Sequence, residues 1–204
     1  MRSINRTTIF AASSLALCGS QMVRPSPAMA VLPVNLPTLA CPARATVANP
    51  NFAYLDISTG LAKWSTKLPT TVTGPVTSVP ATVLGSIPSS WTPNTAAAKW
   101  ISAGGSQIVW VFSYRFDFNI APCPKSYNCT VTVDAATAAD DIGAINLDIK
   151  KLTPPGFFKA AGLTSFTANF ANLTGPHSFS VNVQNAQIGP SGFYLSGKLR
   201  RQCF

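Results

Sequence analysis

The chain has 204 residues, fifteen lysines and arginines against six acidic residues, and a formal charge of +9. All six acids are aspartates, and there is one histidine, His177. This inventory leaves little for a histidine-based nucleophile or a glutamate pair to work with. Its polar surface must come mainly from Ser, Thr, Asn and Gln, which suits strands and loops better than long helices.

Residues 1–30 read as a secretory signal peptide. Arg2 and Arg6 precede an uncharged run from Thr7 to Gly19, built around Ile9, Phe10, Leu15 and Leu17, and Ala28-Met29-Ala30 supplies the small-residue cleavage pattern. The apolar run, about thirteen residues, falls short of the ~20 that a spanning helix needs. Cleavage between Ala30 and Val31 removes Arg2, Arg6 and Arg24, which lowers the formal charge from +9 to +6. What remains is the right length for one domain. The expected location is secreted or periplasmic. Cys18 opens an alternative, because Leu15-Ala16-Leu17-Cys18-Gly19 looks like an acylation site that would leave the protein lipid-anchored. Leu17, however, is larger than the residue such a site normally carries.

After the signal, residues 31–50 are rich in Pro and Ala and read as an extended lead-in; residues 51–204 read as a single domain. Asn51 to Ser58 is a first strand, ended by Thr59-Gly60. Thr66 to Pro93 is punctuated by Pro69, Pro75, Pro80, Pro88 and Pro93, so it is irregular and edge-like. From Ile108 to Ile120, apolar residues at 108, 110, 112, 114, 116, 118 and 120 alternate with a second face that turns polar halfway along. The same period of two runs through Val131-Val133-Ala135, Ile145-Leu147-Ile149, Phe166-Ala168-Phe170, Phe179-Val181-Val183 and Phe193-Leu195. Only Phe157 to Leu163 has a helical look. The pattern predicts an all-β fold: a two-sheet antiparallel β-sandwich or jelly roll of about eight strands. No later stretch is apolar enough to span a bilayer.

Four cysteines follow the signal: Cys41, Cys123, Cys129 and Cys203. An even number in an exported chain suggests two disulfides. Cys123 with Cys129 closes a short loop, and Cys41 with Cys203 joins the two ends of the domain. The spacings lack the paired knuckles of a zinc site.

Asp134, Asp140, Asp141 and Asp148 form the densest acidic group, with Asp134 and Asp148 placed on polar strand faces and Asp140-Asp141 in the connection between. Asp140 and Asp141 read first as a turn, since aspartates bond nearby amides, and second as oxygen ligands for calcium. Trp91 and Trp100 flank a loop; they read as packing plugs or, with exposed faces, as platforms for sugar rings. His177, after Gly175-Pro176, reads as a solvent-exposed turn residue. The basic clusters Lys150-Lys151 and Lys198 with Arg200-Arg201 read as solvated surface, and no nucleic-acid motif is present.

From Trp91 to Leu199 the order of pieces resembles the galactose-binding-domain-like jelly rolls of secreted bacterial proteins. These pieces are the loop with Trp91 and Trp100, the strand Tyr114-Arg115-Phe116-Asp117-Phe118, Ala138-Ala139-Asp140-Asp141 before Ile145-Asn146-Leu147, and Val181-Asn182-Val183-Gln184-Asn185 before Gly189-Pro190. The resemblance implies a sandwich whose end loops often bind sugars; it carries over no binding residue. The expected function is a non-catalytic binding module, its partner a glycan or other cell-surface component, with Trp91, Trp100, Asp140 and Asp141 as candidate ligand residues. A structural or adhesive surface protein is the first alternative. A hydrolase is the second; it would use Asp140 or Asp141 and need one of them raised toward neutral pKa by burial.

Overall fold

A computed structural model describes residues 35–46, 48–67, 78–103, 110–152 and 160–204. The signal peptide, Cys18, the cleavage site at Ala30-Val31, and residues 157–159 of the helix-like stretch lie outside them. The described residues contain no helix, so none is long and apolar enough to cross a membrane.

The strands are β1 (Thr38–Leu39), β2 (Ala53–Asp56), β3 (Ser65–Lys67), β4 (Ser78–Pro80), β5 (Thr82–Val83), β6 (Ile101–Ser102), β7 (Trp110–Ile120), β8 (Cys129–Asp140), β9 (Ile142–Leu147), β10 (Lys150–Lys151), β11 (Thr164–Ala171), β12 (Gly175–Asn185) and β13 (Gly192–Cys203). A seven-stranded sheet runs β10-β9-β12-β7-β3-β4, with β1 parallel to β7. A six-stranded sheet runs β11-β8-β13-β6-β5, with β2 against β13. The long strands are those the alternation marks. β2 falls on the strand expected at Asn51–Ser58, and the additional ones are pieces of two or three residues, of which β3, β4 and β5 touch the Pro-rich stretch.

Two-residue periodicity fills the space between the sheets. Phe112, Tyr114, Phe116, Phe118 and Ile120 of β7 are buried, as are Val131 and Val133 of β8, Phe179, Val181 and Val183 of β12, and Leu195 and Leu199 of β13. Trp64 closes this core from the short strands. Its ring lies 5.6 Å from Phe116 and 5.3 Å from Phe193, and its indole N–H donates to the Ile57 carbonyl at 3.0 Å. A buried aromatic side chain contributes about 1.5–3 kcal/mol, so these rings dominate the stability of the sandwich.

The expected disulfide pairing is corrected. Cys41 bonds Cys123, and Cys129 bonds Cys203. The reason is topological: β7 belongs to one sheet and β8 to the other, so the segment from Cys123 to Cys129 crosses between sheets and does not close a hairpin. β1 lies along β7, with Leu39 opposite Ile120, and two further residues bring Cys41 beside Cys123. Cys129 stands directly opposite Cys203. Asn128 and Phe204 next to them exchange both backbone hydrogen bonds, so the cysteines occupy the closely spaced non-hydrogen-bonded pair, where side chains approach best. Two disulfides in one domain fit an oxidising compartment.

Candidate functional site

Each of the expected ligand residues has a definite place. β8 runs through to Asp140, and Asp141 is the single bend at which the chain leaves one sheet for the other and starts β9. The Asp141 carboxylate accepts the Ala186 amide at 2.7 Å, clasping the β12–β13 connection, while Ser191 Oγ donates to the Asp140 carbonyl at 3.0 Å. This is the amide-binding role of a turn aspartate. Burial, a hydrogen bond to Asp141 and the repulsion of its charge push the Asp140 carboxyl up to about 7, and the Trp91 indole partly opposes them.

The linkage has a definite sign. Between about pH 4 and 7 the unfolded chain releases a proton that folded Asp140 retains, so this contribution to stability is lost as pH rises through 7. Asp140→Asn should therefore stabilise the protein at pH 8 and leave it unchanged below pH 4. Discounted for solvent screening, the gain is about 1 kcal/mol, or roughly 2–4 °C in Tm. Thermal melts at the two pH values check it; equal effects at both would contradict it.

Trp91 and Trp100 are brought to the same end, but as packing. Trp91 is 6% exposed and Trp100 wholly buried. Their rings are 4.3 Å apart, Trp100 meets Tyr194 at 5.8 Å, and the Trp100 indole donates to the Thr92 carbonyl at 2.7 Å. Gly192 lies beneath them, where a Cβ would come within 3.1 Å of both rings. The platform reading is corrected: neither indole has a free face for a sugar.

Three further placements differ from expectation. His177 lies within β12, its side chain 11% exposed, with its ring 5.9 Å from Phe118 and Nδ1 2.8 Å from an Asp148 carboxylate oxygen. It faces inward because it continues the odd-numbered core face of Phe179 and Val181. Asp148 is not on a strand face but in the β9–β10 turn at φ 52°, where its other oxygen accepts the Ser178 amide at 2.9 Å. Arg201 is also no surface cation. It is buried between Leu199 and Cys203, donates to the Ala121 carbonyl, and is pushed to lower pKa by burial.

An open polar groove lies elsewhere among the described residues, on the outer face of the six-stranded sheet. β2 stops pairing with β13 at Asp56, and beyond it Ser58 Oγ both donates to the Gly197 carbonyl and accepts the Gly197 amide. The small side chains Ala136, Ser165 and Ser196 leave the space above unfilled. The result is a groove of about 420 Å³ that also includes Asp56, Asp134 and Lys198. Lys198 is directly opposite Asp56 on one side and Asp134 on the other, which sets the two aspartate Cα atoms roughly 10 Å apart. Asp56 accepts the Ser58 amide at 2.7 Å. Tyr54, 54% exposed, stands two residues before Asp56 on β2, with the Lys198 ammonium 5.1 Å from its ring centre. The alternation of β8 and β13 placed these side chains outward, but their assembly depends on the β2–β13–β8 order, which the sequence does not reveal.

No protein-family model matches the chain, and neither does any curated protein. Among solved structures, the chain is similar to an FMN-binding beta-glucuronidase from Facaelibacterium prausnitzii L2-6, at 14% identity and a TM-score of 0.36, over 74% of this chain. The match spans only 22% of that enzyme's length.

Proposed function

We propose that this protein is a non-catalytic binding module of the cell surface or secretome, that it belongs with the galactose-binding-like jelly rolls, and that it holds a glycan on the outer face of its six-stranded sheet. The observation that carries the reading is the open groove at Asp56, Asp134 and Lys198, with the Tyr54 ring beside Lys198. Carboxylates accept hydrogen bonds from neighbouring sugar hydroxyls, Ser165 and Ser196 both donate and accept, and a partly exposed tyrosine offers an apolar ring face. Exported, the module would act where glycans are.

A glycan array probed with the secreted chain is expected to give binding that falls at least tenfold in Asp134→Ala and in Tyr54→Ala, with the fold intact. Binding to no glycan would favour a structural or adhesive surface protein. The hydrolase alternative draws on one specific observation, the Asp140 carboxyl raised to about 7. Its weakness is geometric: Asp140 and Asp141 are hydrogen-bonded to each other, whereas glycosidic cleavage between two carboxyls needs them at least about 5 Å apart. Glycan hydrolysis lost in Asp141→Asn would favour the enzyme.

A further inference from the structure

We infer that the glycan taken by this face is acidic, bearing carboxylate or sulfate groups, and that Lys198 and Arg200 select for it. This deepens the reading above and rests on it. Both side chains project outward from β13, two residues apart. Lys198 Nζ lies 5.1 Å from the centre of the Tyr54 ring, the Arg200 guanidinium lies 5.2 Å from that of Phe52, and the two rings are 6.0 Å apart. The β2–β13 ladder thus sets two cations against two rings beside the groove, Arg200 opposite Tyr54 and Lys198 opposite Asp56.

Neither cation has a carboxylate within 4 Å; among the described residues the ion pairs are Arg115–Asp117 and His177–Asp148. An aromatic face attracts a cation but supplies no hydrogen-bond acceptor in the ring plane and no formal charge, so the donors of Lys198 and Arg200 stay open to an anion. Ring contact also restrains the long side chains, which lowers the entropy lost when Arg200 takes a carboxylate or sulfate in its planar fork.

The neighbouring aspartates decide the class of anion. A nucleic acid presents phosphates along its whole length and is bound by runs of cations, whereas Asp56 and Asp134 within the groove would repel such a polymer. An acidic sugar chain carries hydroxyls as well as anions. Its hydroxyls suit the aspartates and its anionic groups the two cations.

The test uses affinity electrophoresis of the secreted chain through gels holding polygalacturonate, dextran sulfate or a neutral mixed-linkage β-glucan, with duplex DNA as a competitor. Retardation is expected in polygalacturonate, whose sugars keep free hydroxyls beside the carboxylate, and is weakened by added salt; retardation by the densely charged dextran sulfate alone would overturn the inference in favour of general polyanion binding. Retardation in polygalacturonate should weaken at least tenfold in the Lys198→Ala/Arg200→Ala double variant and persist in Lys198→Arg. Arg200→Gln, which keeps a planar polar group, guards against loss through misfolding, and unchanged melting of each variant completes that control. Retardation by the neutral glucan alone, unaffected by the double variant, would overturn the inference while leaving the glycan reading standing. Binding to no polysaccharide would overturn both. DNA competing as well as the acidic polymers would overturn it in favour of general polyanion binding.

Discussion

Replacing Cys129 and Cys203 together with alanine is expected to lower the melting temperature by about 10 °C. The bond closes a loop with a sequence separation of 74 residues, and chain-entropy reasoning assigns such a loop about 4 kcal/mol. For a domain of this size each kcal/mol moves Tm by roughly 2–4 °C. The bond also fixes the last residues of β13 against the first of β8, where Asn172 holds Cys129 through both its side chain and its backbone. Non-reducing peptide mapping should recover Cys41 joined to Cys123 and Cys129 joined to Cys203. Recovery of Cys123 joined to Cys129, or a melt unmoved in the double variant, would contradict the crossing of the chain between sheets at residues 121–128.

Trp100→Ala should cost as much or more. The side chain is fully buried against Trp91 and Tyr194, and truncating a buried aromatic to alanine removes about 3–5 kcal/mol. The Thr92 carbonyl would also lose its indole donor. The expected outcome is a Tm lower by about 10–15 °C. Binding by the fraction that remains folded below that temperature should be preserved. The contrary pattern, unchanged melting with lost binding, would mean that the indole faces a ligand after all.

The long strands were legible because two-sided period-two alternation reports directly which face of each strand is covered. From Phe112 to Ile120, and again from Phe179 to Val183, the residues marked as core are the buried ones. What the sequence left hidden depends on which strands become neighbours. Cys123 and Cys129 are close in the chain yet belong to opposite sheets, while Cys129 and Cys203 meet through a register that no local pattern announces. His177 looked like a turn residue because Gly175-Pro176 precedes it, but the pairing of Gly175 with Ile120 carries β12 to that end and places the ring in the core. Arg201 shows the same limit: its position on the odd face of β13, with Leu199 and Cys203, outweighs its charge. The groove at Asp56, Asp134 and Lys198 draws on residues 64 to 142 positions apart in sequence. Each residue alone reads as ordinary polar surface.

The proposed ligand face is the outer face of the six-stranded sheet, and not the tryptophan end. Titrating ¹⁵N-labelled protein with a glycan that binds it, and mapping the backbone shift changes, tests this most directly. The changes are expected to centre on Tyr54, Asp56, Asp134, Ser196, Lys198 and Arg200. Changes centred instead on Trp91, Trp100, Asp140 and Asp141, with the sheet face silent, would contradict it.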